Sequence, residues 1–499
     1  MRPAVALTAC LLSSSVLLSG CFAGNSGPTA ATGDAAEGGR IKLAMMQPPR
    51  SGLSPFSDDA FKLSRWSTAE TLVTLDEVGD ARPGLATSWK RVAPQTWEFA
   101  IRPNVTFHDG TTLTAAVAAF ALTKAAAASP KPRILDGVRL TAVAQGNTLR
   151  VTTAEADPLV PHRLSSPQLS ILAKAAYKAT RVDPVGTGSG PYRLVEVRGT
   201  TGARLDRYDG YWGGKARAEG IDVSFVPDGA ARAAAIRSGS AHVVESVPVS
   251  QAALLDPKTV TEVPMPRTNT LYLNTRTGPL KDPALRAAIR SAVDREALVK
   301  GVYEGRADLA AGLLGPALPW AAKGRTELTG RMKAKAPAGT TITLATFSDR
   351  AELPEVASVL QQQLQQAGFV VKQVVREYAH IEEDALAGKF DAFILSRATV
   401  LDSGDPVAYL YSDFACEGSF NISQLCDAGV DAALTKAKGT AAGDARRAAI
   451  LAAEAAVLRT DAAVPLLHER VIQGDSSELL DSAKDPRERT LVTAQTRLR

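Results

Sequence analysis

Between Thr341 and Leu395 the apolar residues change period in an order that few folds accommodate. Thr341 to Phe347 alternates as a strand does, and Phe369 to Val375 returns to that pattern. Between them, Pro354 to Ala367 carries Val356, Leu360 and Leu364 at i, i+4 and i+8, with Pro354 near the start and Gly368 at the exit, which predicts a helix. His380 to Ala387, closed by Gly388, and then Phe390 to Leu395 add a second helix and a third strand. Such a βαβαβ run requires parallel strands joined by right-handed crossovers, hence an α/β layer structure. Ligands of open parallel sheets sit beyond the carboxyl ends of the strands, which directs attention to Ser348-Asp349-Arg350 and to Asp402 with Asp405.

Other stretches give further elements. Trp97, Phe99 and Ile101 share one face of a strand, with Trp89 and Trp97 expected as core aromatics. Thr114 to Ala128 reads as a helix with Thr114 as its N-cap and Ser129-Pro130 as its stop, and Ile134 to Thr153 is β-rich. Asp282-Pro283 opens a helix with Leu285, Ile289, Val293 and Leu298 along one side, closed by Gly301 and Gly305. That stripe is a core face.

A chain of 499 residues has room for about three domains or sub-domains. Its 57 basic and 52 acidic residues leave a net charge of +5 with no dense Lys/Arg tract, so nucleic acid is excluded as the expected partner.

Arg2, the apolar stretch from Ala4 to Leu18, and the small residues before Cys21 form a secretory signal, residues 1–20. The stretch is broken by Thr8 and three serines and is too short for a span. Leu18-Ser19-Gly20-Cys21 resembles the bacterial lipobox, in which Cys21 takes the lipid; residues 21–39, rich in Gly, Ala, Ser and Thr, then serve as a flexible spacer. Of the four cysteines only Cys416 and Cys426 remain for the folded part. Two close cysteines in an exported chain point to a disulfide; a metal site would want nearby histidines, and the five in this chain are scattered.

Catalytic signatures fail one by one. Thr187 stands where a nucleophile elbow around Ser189 needs Gly, and Asp209 and Ala216 replace the first Gly and the Ser/Thr of a phosphate loop ending at Gly213-Gly214-Lys215. His468-Glu469 begins a zinc motif that does not continue. No enzyme activity and no cofactor is expected.

Taken in order, several motifs resemble the family 5 extracellular solute-binding proteins, the dipeptide, oligopeptide and nickel receptors of bacterial ABC importers. They are Pro83-Gly84-Leu85-Ala86-Thr87-Ser88-Trp89 with Trp97-Glu98-Phe99 and Val105-Thr106-Phe107-His108-Asp109-Gly110; then Gly188-Ser189-Gly190-Pro191-Tyr192; Tyr211-Trp212-Gly213-Gly214-Lys215; Leu273-Asn274-Thr275 with Asp294-Arg295; and Gly388-Lys389-Phe390-Asp391-Ala392. The likeness runs over about residues 40 to 470. It implies a type II periplasmic-binding fold, two α/β lobes around a ligand cleft with an extra domain inserted in the N-terminal lobe. Residues 40–60, 180–265 and 468–499 would form the N-terminal lobe, 61–179 the inserted domain and 266–467 the C-terminal lobe, with the boundary near Val263-Pro264-Met265-Pro266.

By the same resemblance, Asp402-Ser403-Gly404-Asp405-Pro406 matches the segment whose aspartate holds a peptide ammonium, and Arg350 matches the arginine that holds the carboxylate in dipeptide receptors. The residue-level readings stay open beside it: Asp405 could cap a helix, and Arg350 could be a solvated charge. Thr399 stands where dipeptide receptors tend to carry Trp, so the pocket floor differs. The implied protein is a monomeric, membrane-anchored lipoprotein outside the cytoplasm that delivers a peptide or similar small solute to an ABC permease. The alternatives are a receptor for nickel chelate, haem or sugar, or a peptide-sensing lipoprotein without transport.

Overall fold

A computed structural model describes residues 38–350, 352–400 and 403–499. The signal and lipidation readings around Cys21 and the site candidate Asp402 fall outside these residues.

One sheet of eleven strands runs through the body. Its order is Val370–Arg376, Thr341–Phe347, Ala392–Ala398, Val260–Leu273, Ala463–Asp475, Val243–Val244, Arg40–Met45, Gly220–Phe225, Gly202–Arg207 and Tyr192–Arg198, with Ala307–Leu309 pairing beside Ala463–Asp475. The first three strands are the βαβαβ unit: Thr341–Phe347 lies parallel to both its neighbours, and the helix Glu352–Gln366 buries Val356, Leu360 and Leu364 against them. The parallel order expected from the apolar periods is therefore present.

The helix opened by Pro283 departs from expectation, because it is two helices, Pro283–Ala292 and Arg295–Gly301. Val293 and Asp294 are extended, and the Asp294 carboxylate accepts from Ala297 N, so Asp294 caps a new helix and ends the continuity of the stripe. Thr114 does cap its helix, Ala115–Ala126, through an acceptor contact with Val117 N.

Two long antiparallel strands, Val260–Leu273 and Ala463–Asp475, join the halves of the sheet. Their pairing shifts register between Pro264 and Thr268, where Pro264 and Pro266 remove ladder donors. The Thr268 hydroxyl donates to Leu313 O at 2.8 Å and accepts from His468 Nδ1 at 2.9 Å. Burial pushes His468 down to about 4, which keeps the imidazole neutral.

A separate four-stranded sheet, ordered Ala86–Ala93, Thr96–Ile101, Thr148–Thr153 and Leu140–Gln145, shares an apolar cluster with Ala115–Ala126. Phe99 and Ile101 are buried in it, with Trp89 and Trp97 packed alongside. The Gly188–Gly190 loop presses on the main body so closely that a Cβ at either glycine would lie about 2 Å from Thr68 O or Ser67 O. Glu70 holds the same region, accepting from Ser189 Oγ at 2.7 Å, Tyr211 OH at 3.1 Å and Trp212 Nε1 at 3.0 Å. Two of the sequence motifs thus meet on one carboxylate.

Candidate functional site

The strand Thr341–Phe347 ends on Ser348-Asp349-Arg350, and Asp349 Oδ2 accepts from Tyr378 N at 2.7 Å to fix the turn. Arg350 then reaches back to the long strand Ala463–Asp475, donating from Nη1 to Glu469 Oε2 at 3.0 Å. The Glu469 charge raises the guanidinium further above its ordinary value. Glu469 is 7% exposed and Arg350 34%, so one end of the pair is anchored and the other opens to solvent. Nε and Nη2 of Arg350 keep donor capacity for an anionic group.

From the next strand, Arg397 grips the fully buried Asp413 in a fork, Nε to Oδ2 at 3.0 Å and Nη2 to Oδ1 at 2.9 Å, while Tyr272 OH donates to Oδ2 at 3.0 Å. Its guanidinium also lies 4.4 Å over the Phe420 ring. Arg397 is thereby held in place two residues before Thr399.

A second line of charge enters from the other half of the sheet. Arg65 donates from Nε to Glu488 O at 2.7 Å and from Nη2 to Glu488 Oε2 at 3.2 Å, and its Nη1 bonds Glu245. Glu245 Oε2 accepts from Met46 N at 3.0 Å, just past the strand Arg40–Met45. Glu488 faces Arg267, on the long strand Val260–Leu273, with Nε and Oε1 4.0 Å apart.

Asp405 lies in a different network from Arg350. It is buried, accepts Nε of Arg446 at 2.6 Å and Nη2 at 3.0 Å, and its Oδ1 also takes Val407 N at 2.9 Å, at the start of the helix Val407–Phe414. Both oxygens are engaged. Gly404 packs against Leu75, whose neighbours Asp76, Glu77 and Val78 line an open recess of about 710 Å³ together with Ala483 to Arg487 and Thr490. Asp80 pairs with Arg447 at 2.7 Å next to this region.

Cys416 and Cys426 form a disulfide, as the sequence led us to expect, in the segment after Val407–Phe414. No group of three or more His, Cys, Asp or Glu among the described residues is arranged to hold a metal ion. Arg65, Arg267, Asp413 and Glu488 were not singled out from sequence, and Glu469 only as part of a zinc motif that does not continue; their contacts across the fold mark them.

The family model described as bacterial extracellular solute-binding proteins, family 5 middle, matches residues 80–421. The glutathione-binding protein GsiB of Pectobacterium atrosepticum is 28% identical over 300 residues, which cover 56% of this chain and 57% of that protein. The probable ABC transporter periplasmic-binding protein SapA of Escherichia coli is 28% identical over 330 residues, 60% of this chain and 59% of that one. The matches thus span little more than half the length of these relatives. A crystal structure of a nickel ABC transporter protein from Bacillus halodurans superposes with a TM-score of 0.77 at 25% identity, covering 92% of this chain and all of the other.

Proposed function

This chain belongs to the bacterial extracellular solute-binding proteins of family 5, and from that membership we propose that it is the receptor of an ABC importer, closing two lobes on a peptide or similar small solute and presenting it to a membrane permease. The lobes divide where the two long strands cross, near residues 263–266 and 467–468, with residues 61–179 as the inserted domain. Recognition needs no covalent chemistry: the free energy of closure comes from contacts that the ligand makes with both lobes at once. Cys21 carries the lipid that holds the protein on the outer face of the membrane, and residues 21–39 are the tether.

The observation that carries the reading is Arg350. A strand end delivers it, Glu469 fixes one of its nitrogens at 3.0 Å, and its side chain stays 34% exposed with Nε and Nη2 bonded to no described residue. That is the arrangement a ligand carboxylate requires. Asp402 holds the ligand ammonium, while Asp405 braces the loop that bears it. A nickel chelate is the second reading, supported by the likeness to the nickel transporter structure.

A thermal-shift screen with peptides, nickel–histidine, haem and sugars identifies the ligand class, because a ligand that binds only the folded form raises its melting temperature. Calorimetry with a free and an N-acetylated peptide on the wild type and Asp402→Ala then tests the contact. Truncating one side of a buried charge pair costs roughly 2–5 kcal/mol, and acetylation adds little on the mutant because the same contact is already gone. Fully additive losses refute the role of Asp402, and stabilisation by a nickel chelate alone moves the assignment to the second reading.

A further inference from the structure

The arginines around the crossing strands are almost all committed. Arg65 bonds through all three of its nitrogens, Arg397 forks onto Asp413, and Arg446 onto Asp405; Arg447 takes Asp80. Arg267 is the exception. None of its N–H groups hydrogen-bonds to a described residue, and its Nε is buried without an acceptor. The nearest carboxylate oxygen, Glu488 Oε1, is 4.0 Å away and is itself buried without a hydrogen bond, while the other oxygen of Glu488 serves Arg65. A buried donor with no partner is costly and calls for an explanation, since the great majority of such groups are satisfied.

The surroundings of Arg267 supply one. After burial itself, the charge of Arg350 is the largest influence opposing its protonation, ahead of the favourable effects of Glu488 and Glu469. The two guanidinium groups are therefore near enough to repel one another, and between them only Nη1 of Arg350 is tied to a carboxylate by a hydrogen bond. The arginines Arg65, Arg267 and Arg350 are balanced in number by Glu245, Glu469 and Glu488, so bulk charge does not decide the matter. Hydrogen-bonding capacity does: a planar fork of donors is matched by a carboxylate, and Arg350 already has enough free donors to hold one carboxylate by itself.

We propose that Arg267 is a second anion-binding residue of the cleft, so that the site selects small peptides carrying an acidic side chain in addition to the terminal carboxylate held by Arg350. This rests on the reading of the cleft as the solute site. Glu488 stands 4.0 Å from Arg267 Nε without consuming its donors.

The test uses tripeptides of alanine with Glu placed at each position in turn, each compared with its Gln counterpart, titrated calorimetrically into the full chain and Arg267→Gln. At one position the Glu peptide binds the wild type about tenfold tighter than the Gln peptide, the equivalent of one charge-assisted hydrogen-bonded contact. Arg267→Gln removes that difference and changes binding of the Gln peptides by less than about twofold. Arg267→Lys, which keeps the charge but not the fork, retains a smaller preference and serves if the neutral variant does not fold. Equal binding of Glu and Gln peptides at every position, or a preference that survives Arg267→Gln, overturns the proposal. Should no peptide bind, the peptide reading of the site fails, and Arg267 is then judged with glutarate. A rise in melting temperature in millimolar glutarate over sodium chloride of equal ionic strength, absent in Arg267→Gln, upholds the anion site; no rise overturns it.

Discussion

Asp405→Ala separates a brace from a ligand contact. The side chains of Asp405 and Arg446 are 7% and 3% exposed, and two hydrogen bonds of 2.6 and 3.0 Å join them. Removing one member of a buried ion pair costs about 3–5 kcal/mol because the other is left uncompensated. Here the remainder is partly cushioned: Arg446 Nη1 also donates to Ala437 O at 2.5 Å and Thr440 O at 2.6 Å, at the end of the helix Ala428–Gly439. That places the pair term at the lower end, about 3 kcal/mol. Loss of the acceptor for Val407 N adds about 1 kcal/mol. The total of about 4 kcal/mol corresponds, at about 2.1 cal/mol/K per residue, to a fall of roughly 4 °C in the melting of the single compact unit that ends at Arg499. Scanning calorimetry measures it, and Asp405→Asn, which keeps an acceptor for Val407 N, falls less. Arg446→Ala combined with Asp405→Ala costs less than the two separately, as coupled partners must. A melting temperature lowered by under about 2 °C, together with an affinity loss beyond about thirtyfold for a peptide that the wild type binds, refutes this reasoning and makes Asp405 a ligand residue.

Burial pushes the Glu70 carboxyl up to about 6 despite its three donors. The folded state therefore holds this proton more tightly than the unfolded one, and stability falls as pH rises between about 4.5 and 6; Glu70→Gln removes that part of the slope in denaturant titrations, and an unchanged slope counts against it. Replacing Cys416 and Cys426 by Ser opens a short loop, which by chain entropy costs roughly 3 kcal/mol at room temperature; a melting curve unchanged by the double substitution contradicts this. Cys21→Ser releases the protein to the medium or leaves the precursor uncut, as followed by fractionation, whereas a correctly cleaved and membrane-bound mutant removes the lipid reading.

The parts of the fold that could be read in the sequence are those governed by neighbours along the chain. The βαβαβ unit announces itself through alternation between Thr341 and Phe347 and the stripe Val356, Leu360 and Leu364, and the structure keeps both. Thr114 caps its helix because the side chain needed only Val117 N, three residues on. Even the misread helix was a local matter: the apolar stripe from Leu285 to Leu298 is real, yet a single Asp294 carboxylate turning to Ala297 N breaks it into two. The site is different. Arg350 was visible as a strand-end residue, but its partner Glu469 lies 119 positions away, and Arg446 lies 41 from Asp405. Nothing in the residues near Asp405 indicates whether its carboxylate meets a ligand or an arginine, since either partner satisfies a buried anion.

The position of the charged residues along the long strands ties recognition to movement in the proposed mechanism. The backbone departs from a regular ladder at two places, between Pro264 and Thr268 and between Asn269 and Thr270, and Thr268 and His468 pin the two strands together between them. Arg267 precedes Thr268 and Glu469 follows His468, so the charged side chains emerge beside a cross-strand side-chain bond, with a second one, Arg470 Nη1 to Glu262 Oε2 at 2.7 Å, further along the same pair of strands. Because the imidazole is neutral, the Thr268–His468 bond adds no charge of its own to this part of the sheet. In that mechanism a bend between Pro264 and Thr268 moves Arg267 relative to Glu488, which stands 4.0 Å away, while the 3.0 Å contact ties Arg350 to Glu469. A solute held by Arg350 and Arg267 together then favours one bend over others, by as much as its contacts differ between them and no more. On that proposal, closure is selected by the charges of the solute, and the strands that bend are the strands that read it.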